Sequence, residues 1–203
     1  MNIAFIFALL GFLAYISEGG VLLWLHIKPT GYHPIRNAVS DYGVGPTHRL
    51  LRIYLWLCNL GAVFLTIALI VGLRVPPIPQ RSIVFLFLLV GVRICLSLFP
   101  TDLEGKPMTR TGILHYIFAV LTIGFVYTIM AQLTPFFQAR PDWQAINRIL
   151  GVLLTITTPA LIAIVITMWK PLRSIFGLFE RIFIVSTTLW FLIVSAFLAI
   201  SLY

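Results

Sequence analysis

Acid–base and anion-binding chemistry in this chain falls to a small set of side chains: Glu18, His33, Arg36, Ser40, Asp41, Arg93, Asp102 and His115. An imidazole steered by a carboxylate acts as a general base, and a serine within its reach acts as a nucleophile. His115 backed by Asp102 or Asp41, with Ser40 as nucleophile, is therefore the catalytic grouping that an intramembrane lipid-modifying enzyme would use. The same side chains also read as a binding site. Arg36 and Arg93 each offer a planar fork of donors suited to phosphate or carboxylate, and Glu18, His33, Asp41, Asp102 and His115 complete a polar lining. A third reading strings Glu18, Arg93 and His115 along the path of a small-solute or proton-coupled transporter, although the other half of the chain's apolar mass carries no matching ionisable residues. Sequence spacing favours binding over catalysis, because nothing in it fixes His115 within hydrogen-bond reach of a carboxylate or of Ser40.

Metal and cofactor chemistry has little support. None of the histidines, His26, His33, His48 and His115, pair at i, i+3 or i, i+4, the spacing that sets two ligands on one helix face. Haem ligation fares no better, since only His115 falls clearly inside a helical segment. Cys58 and Cys95 lie in apolar runs with no C-x-x-C spacing, so each reads as a small apolar residue. No metal and no cofactor are expected.

These side chains need a scaffold, and composition specifies it. The chain has 203 residues, 60% hydrophobic and 10% charged, with a mean hydropathy of +1.03. Soluble domains carry roughly 25% charged residues. Stretches of about 20 apolar residues span a bilayer as helices, and they are read here at Ile3–His26, Leu50–Leu73, Ser82–Pro100, Gly112–Phe137, Ile149–Trp169 and Ile182–Tyr203. Turn signals separate them: Lys28-Pro29, Arg74-Val75-Pro76-Pro77, Pro100-Thr101-Asp102, Arg140-Pro141-Asp142 and Lys170-Pro171. A transmembrane β-barrel would show alternating stretches of about ten residues, which are missing. The expectation is an all-α, polytopic bundle of six transmembrane helices forming one domain over residues 1–203. The first segment has no basic run before it and no small-x-small site after it, so it reads as a retained helix rather than a cleaved signal. Trp24, Tyr54, Trp56, Trp169 and Tyr203 fall near helix ends and read as interfacial anchors. Pro159 is expected to kink the fifth helix, and Gly11, Gly19 and Gly20 to let a neighbour approach a centrally placed first helix.

Placed on those helices, the reactive side chains converge on one end. All the charged residues except Arg74, Arg81, Arg140, Asp142 and Arg148 lie at the end that carries the first, third and fifth loops. Glu18 and Arg93 sit inside their helices, roughly 13 Å and 10 Å below that end at 1.5 Å per residue. Ionisable groups at such depth are paired, hydrated or functional. An intramembrane Glu18–Arg93 ion pair is therefore expected, flooring a polar vestibule that helices one, three and four line. Loop one, Lys28 to Arg49, is long for a connection. Ile35, Val39 and Tyr42 recur in it at helical spacing, which predicts a short amphipathic helix lying at the interface over the vestibule. Thr109 or Thr111 can cap the fourth helix, placing His115 one turn inside it.

The cations give an orientation. Lys28, Arg36, Arg49, Arg52, Lys106, Arg110, Lys170, Arg173 and Arg181 flank the odd loops, whereas Arg74, Arg81, Arg140 and Arg148 flank the even ones. The positive-inside rule then puts both termini outside. The formal net charge of +8 is spread over short loops with no basic stripe, so membrane lipids rather than nucleic acid are the expected partners.

Read together, His33-Pro34-Ile35-Arg36, Val39-Ser40-Asp41-Tyr42-Gly43, Leu98-Phe99-Pro100-Thr101-Asp102 and Thr111-Gly112-Ile113-Leu114-His115 resemble, in order and spacing over nearly the whole chain, a bacterial six-helix membrane family known as domain of unknown function 998. That family is distantly similar to the eukaryotic Frag1, DRAM and Sfk1 group, implicated in lipid-anchor remodelling, autophagy and phospholipid asymmetry. The resemblance implies the six-helix fold, an inner (cytoplasmic) membrane location and an involvement with lipids. It supplies no catalytic residues to transfer. The expected function is accordingly a polar vestibule that binds or handles a lipid or another anionic amphiphile.

Overall fold

The computed structural model describes residues 2–73, 77–102 and 107–203. The turn at Arg74-Val75-Pro76 and the loop-three cation Lys106 lie outside the described residues, as does the side chain of Lys170. Six long helices account for most of the chain: α1 (Ile3–Ile27), α2 (His48–Gly72), α3 (Gln80–Leu98), α4 (Arg110–Gln138), α5 (Gln144–Thr167) and α6 (Phe176–Leu202). All six contain an apolar stretch long enough to cross a membrane. The protein is an all-α, polytopic, membrane-type bundle.

Helix starts follow local hydrogen-bond chemistry. Asn2 opens α1 by accepting the Ala4 N–H at 3.0 Å, and Thr109 opens α4 by accepting the Gly112 N–H at 3.1 Å. The fifth and sixth helices begin earlier than hydropathy predicts, at Gln144 and Phe176 instead of Ile149 and Ile182. Their second turns carry Arg148, Glu180 and Arg181, polar enough to read as loop; Glu180 and Arg181 have partners that suit a helix.

Consecutive helices pack side by side, and α6 returns to α1, so the six close into a ring; α6 also touches α2 and α4. This corrects the expectation of a central first helix: 50% of the most apolar stretch of α6 is buried, against 33% in α1. Only Gly11 of the three α1 glycines makes a close approach, where an added Cβ would meet the Leu65 amide and the Ser195 hydroxyl at 3.4 Å; Gly19 and Gly20 face open space. In lipid, helices associate through packing and internal hydrogen bonds rather than by escape from water. A chain of rings provides that packing across the bundle: Tyr15 stacks on Phe191 (5.6 Å), Phe191 meets the edge of Trp190 (5.1 Å), Trp190 approaches Phe137 (6.1 Å), and Phe137 stacks on Trp143 (3.9 Å). The buried Trp190 indole donates to Thr134 Oγ1 at 3.0 Å, which spares a polar group the cost of lying unpaired in an apolar medium.

Pro159 sits within a continuous α5, and the neighbouring hydroxyls of Thr157 and Thr158 bond back to Leu153 and Leu154 carbonyls at 2.7 and 2.9 Å.

Loop one departs from prediction. Instead of an amphipathic α-helix at the surface, it forms a turn at His33–Asn37 and two 3-10 helices, Val39–Gly43 and Gly45–Thr47. Asp41 explains the difference: its carboxylate takes the Ala38 N–H at 3.1 Å and the Asn37 amide at 3.2 Å, local bonds that compete with α-helical ones. The three-residue period then separates the expected stripe. Val39 and Tyr42 are buried at 3% and 2% exposure, while Ile35 is 40% exposed.

Loop one is fastened down onto the start of α6. Leu178 N–H donates to the Ile35 carbonyl (3.0 Å), Val39 N–H to Glu180 Oε2 (2.6 Å), and Arg181 Nη1 to the Asn37 carbonyl (2.7 Å). Arg181 Nε also donates to His26 Nε2 at 2.7 Å, while the other nitrogen of that ring bonds the Leu22 carbonyl at 2.7 Å. Because the carbonyl can only accept, Nδ1 carries the proton and Nε2 is the acceptor. Gly177 permits this closeness: an added Cβ would collide with the Asn37 carbonyl oxygen and meet the Pro34 carbonyl oxygen at 2.9 Å.

Candidate functional site

Beneath loop one the bundle encloses two adjoining cavities. The inner chamber, about 120 Å³, receives Glu18 from α1, Tyr54 and Cys58 from α2, Arg93 from α3, His115 and Thr122 from α4, and Glu180 and Thr188 from α6. The outer cavity, about 470 Å³, is lined by Arg36, Asp41, Asp102, Tyr116 and Arg173 together with apolar faces of α4 and α5. Ser40, His115, Ala119, Ile123 and Glu180 border both, so the two communicate around these residues. Every expected site residue except His33 lines one cavity or the other. His33 is exposed and serves the loop instead: its N–H donates to Asn37 Oδ1 at 2.9 Å and its Nδ1 accepts from the Ile35 N–H at 3.3 Å.

Glu18 and Arg93 share the inner chamber at matching depth but do not form the expected ion pair. No Glu18 oxygen comes within 4.0 Å of an Arg93 nitrogen. Other groups hold each of them. Glu18 Oε1 accepts from Thr188 Oγ1 at 2.8 Å, and Arg93 Nη1 donates to the Cys58 carbonyl at 3.2 Å. The second Glu18 oxygen has no hydrogen-bond partner, and neither has the Thr122 hydroxyl, both being buried. A sequence gives depth along a helix but not rotation about it, so matched depth was insufficient to make a pair.

His115 is oriented differently from expectation. Its Nδ1 bonds the Phe99 carbonyl at 2.8 Å, so Nδ1 carries a proton, and in the neutral imidazole Nε2 keeps its lone pair. The carboxylates predicted to steer it are engaged elsewhere. Asp102 accepts the Thr109 N–H at 2.6 Å and the Thr109 hydroxyl at 2.9 Å, tying loop three to the start of α4. Asp41 accepts from Asn37 and Ala38 within loop one. Gly112 accommodates Asp102, since an added Cβ would collide with its Oδ2. The Phe-Pro-Thr-Asp and Thr-Gly-x-Leu-His runs are thus one structural unit that sets the imidazole at the cavity wall.

Several lining residues escaped sequence reasoning. Glu180 borders both cavities from within α6, ahead of the Ile182 start that hydropathy predicts. Arg173 reaches the outer cavity from the 3-10 helix Lys170–Ile175 and donates to the Tyr116 hydroxyl at 2.9 Å. Tyr54, read as an interfacial anchor, is buried and faces the inner chamber; Trp24, Trp56, Trp169 and Tyr203 are exposed. The chamber is therefore walled by α2 and α6 as well as α1, α3 and α4. Above it, outside the spans, partial burial and then the Asp41 carboxylate raise the Tyr32 phenol above its ordinary pKa.

The α4–α5 side of the outer cavity is apolar. Val120 of α4 and Val165 of α5 line it and are 53% and 62% exposed, with Met168 beside them.

Comparison with curated proteins and with solved structures finds no match. A family model does match, over residues 5–196, a range that takes in nearly all six helices and the residues of both cavities. By that match the chain belongs to the family described as protein of unknown function (DUF998).

Proposed function

We propose that the protein binds or handles an amphiphile, a lipid or a molecule like one, with its headgroup in the cavities under loop one and its chains between α4 and α5. The single observation that carries this reading is the combination, in one outer cavity, of an exposed apolar side at Val120 and Val165 with a lining of Arg36, Arg173 and His115; the apolar side would be the portal. Neither half explains the other unless one molecule has both characters. A water-soluble ligand would not need the portal, and a purely apolar one would strip water from the guanidiniums without compensation. The cavity volume, about 470 Å³, falls within the range of roughly 300–1,000 Å³ typical of small-molecule sites.

Catalysis is a second reading favoured by one observation. His115 presents an unprotonated Nε2 to the cavities with its Nδ1–H anchored on a backbone carbonyl, the arrangement of a general base. Ser40 borders both cavities with it. The amphiphile reading is preferred because neither Asp41 nor Asp102 bonds the imidazole.

Native mass spectrometry of the purified protein, followed by lipid extraction, tests the binding reading. A co-purifying amphiphile is expected, with retention reduced in Arg36→Ala and in Val165→Trp, the latter by filling the portal. Absence of any bound amphiphile, or unchanged retention in both variants, overturns it. Turnover of a retained lipid that disappears in His115→Ala, with the fold intact, would favour the catalytic reading instead.

A further inference from the structure

Charges taken out of water are ordinarily paired with one another, because an isolated one costs several kcal/mol or more. The inner chamber breaks that pattern in a specific way. Glu18, 3% exposed, and Arg93 face the same small space from α1 and α3, yet stay apart, each held back by a neighbour on another helix: Glu18 by Thr188 and Arg93 by the Cys58 carbonyl. Glu18 keeps one buried oxygen with no partner, and the Thr122 hydroxyl, also buried and without a partner, faces the same space. A carboxylate from α1 and a guanidinium from α3 thus share the chamber without meeting, with Tyr54 and Thr122 on its wall.

An anion alone would answer Arg93 and leave Glu18 facing like charge. A cation alone would do the reverse. A group bearing both charges a few bonds apart answers the two together. We propose that the inner chamber is a clamp for a zwitterionic headgroup, an ammonium beside a phosphate or carboxylate, with the ammonium on Glu18 and the anionic group on Arg93. This rests on the amphiphile reading and narrows it, from anionic amphiphiles in general to those whose headgroup also carries a protonated amine. Ammonium suits Glu18 because it can donate to the carboxylate oxygen that has no hydrogen-bond partner. Arg36 and Arg173, in the outer cavity, then lie along the way in rather than at the final site.

The experiment is a lipid titration of the full chain in detergent, read by native mass spectrometry. The probes are phosphatidylethanolamine, phosphatidic acid and phosphatidylglycerol with identical acyl chains. Phosphatidylethanolamine is expected to bind at least about tenfold more tightly than either anionic lipid, the value of one charge-assisted hydrogen bond. Glu18→Gln keeps an acceptor for Thr188 but loses the charge, and should abolish that preference by weakening phosphatidylethanolamine and removing the like charge that faces phosphatidic acid. Arg93→Gln should weaken all three lipids. Equal binding of the three lipids overturns the clamp and leaves the amphiphile reading standing, and so does a preference that survives Glu18→Gln or binding of all three lipids that survives Arg93→Gln. Binding of none of them overturns both. Displacement of phosphatidylethanolamine by free phosphoethanolamine at equal concentration keeps the clamp but overturns its lipid source.

Discussion

Replacing Gly177 with alanine should lift loop one off the bundle. The added Cβ would strike the Asn37 carbonyl oxygen and crowd that of Pro34. Both are backbone atoms, so no rotamer change relieves the contact and the loop and α6 must move apart. Three bonds cross this junction: Leu178 N–H to Ile35, Arg181 to the Asn37 carbonyl, and Val39 N–H to Glu180. Taking about 1 kcal/mol for the first and about 1.5–3 kcal/mol for each bond to a charged group gives roughly 4–7 kcal/mol of gross closure energy. Partial rehydration and the gain of about 1 kcal/mol from alanine in a helix offset some of it. A net loss of about 4 kcal/mol corresponds to about a thousandfold faster opening equilibrium. Hydrogen–deuterium exchange of the peptide spanning residues 33–44 reads this directly, since the amides of Arg36, Val39, Asp41 and Val44 are all bonded in the closed loop. Exchange there should accelerate while peptides from the middle of α2 and α4 stay protected. Unchanged exchange at Val39 would refute the reasoning, and uniform acceleration across all helices would refute the idea that the loop opens as a unit.

Other outcomes follow from the same geometry. Gly112→Ala should lower thermal stability by about 2 kcal/mol by displacing Asp102 from the α4 cap, but in an Asp102→Ala background the same change should be neutral or stabilising, because the obstacle is gone and alanine is the better helix former; a thermal-melt double-mutant cycle checks the reversal of sign. Thr134→Val strands the Trp190 indole N–H and should cost about 1–3 kcal/mol, whereas adding Trp190→Phe should recover part of that; equal melts for the two variants would contradict it. His26→Ala removes the acceptor of Arg181 Nε, a guanidinium whose Nη2 already lacks a hydrogen-bond partner, and should accelerate exchange in loop one more than in α1. His26→Gln, which can present an oxygen in the same direction, should restore protection.

The bundle was legible in the sequence because transmembrane helices announce themselves over long windows, and six such windows stand clear of their turns. What went astray lay where short-range chemistry outweighs pattern. Glu180 and Arg181 were read as loop on polarity alone; in the structure they are helical because Val39, Asn37 and His26, distant in sequence, supply their partners. Loop one carried a helical spacing of Ile35, Val39 and Tyr42, yet Asp41 turned it into a 3-10 segment. The site was legible in its membership: Glu18, Arg36, Ser40, Asp41, Arg93, Asp102 and His115 do line the cavities. Its wiring was not. Hydrogen-bond partners such as the Phe99 carbonyl behind His115 or Thr188 beside Glu18 depend on helix rotation, which depth along a helix does not reveal.

The ring chain from Tyr15 through Phe191, Trp190 and Phe137 to Trp143 bears on traffic as well as packing. Tyr15 lies one helical turn from Glu18 on α1, on the side away from loop one, and Phe191 one turn beyond the α6 residues that line the chamber. On the amphiphile reading, a molecule that enters between α4 and α5 would leave by the same side, because passage to the far end of the bundle would require Phe191 and Trp190 to part.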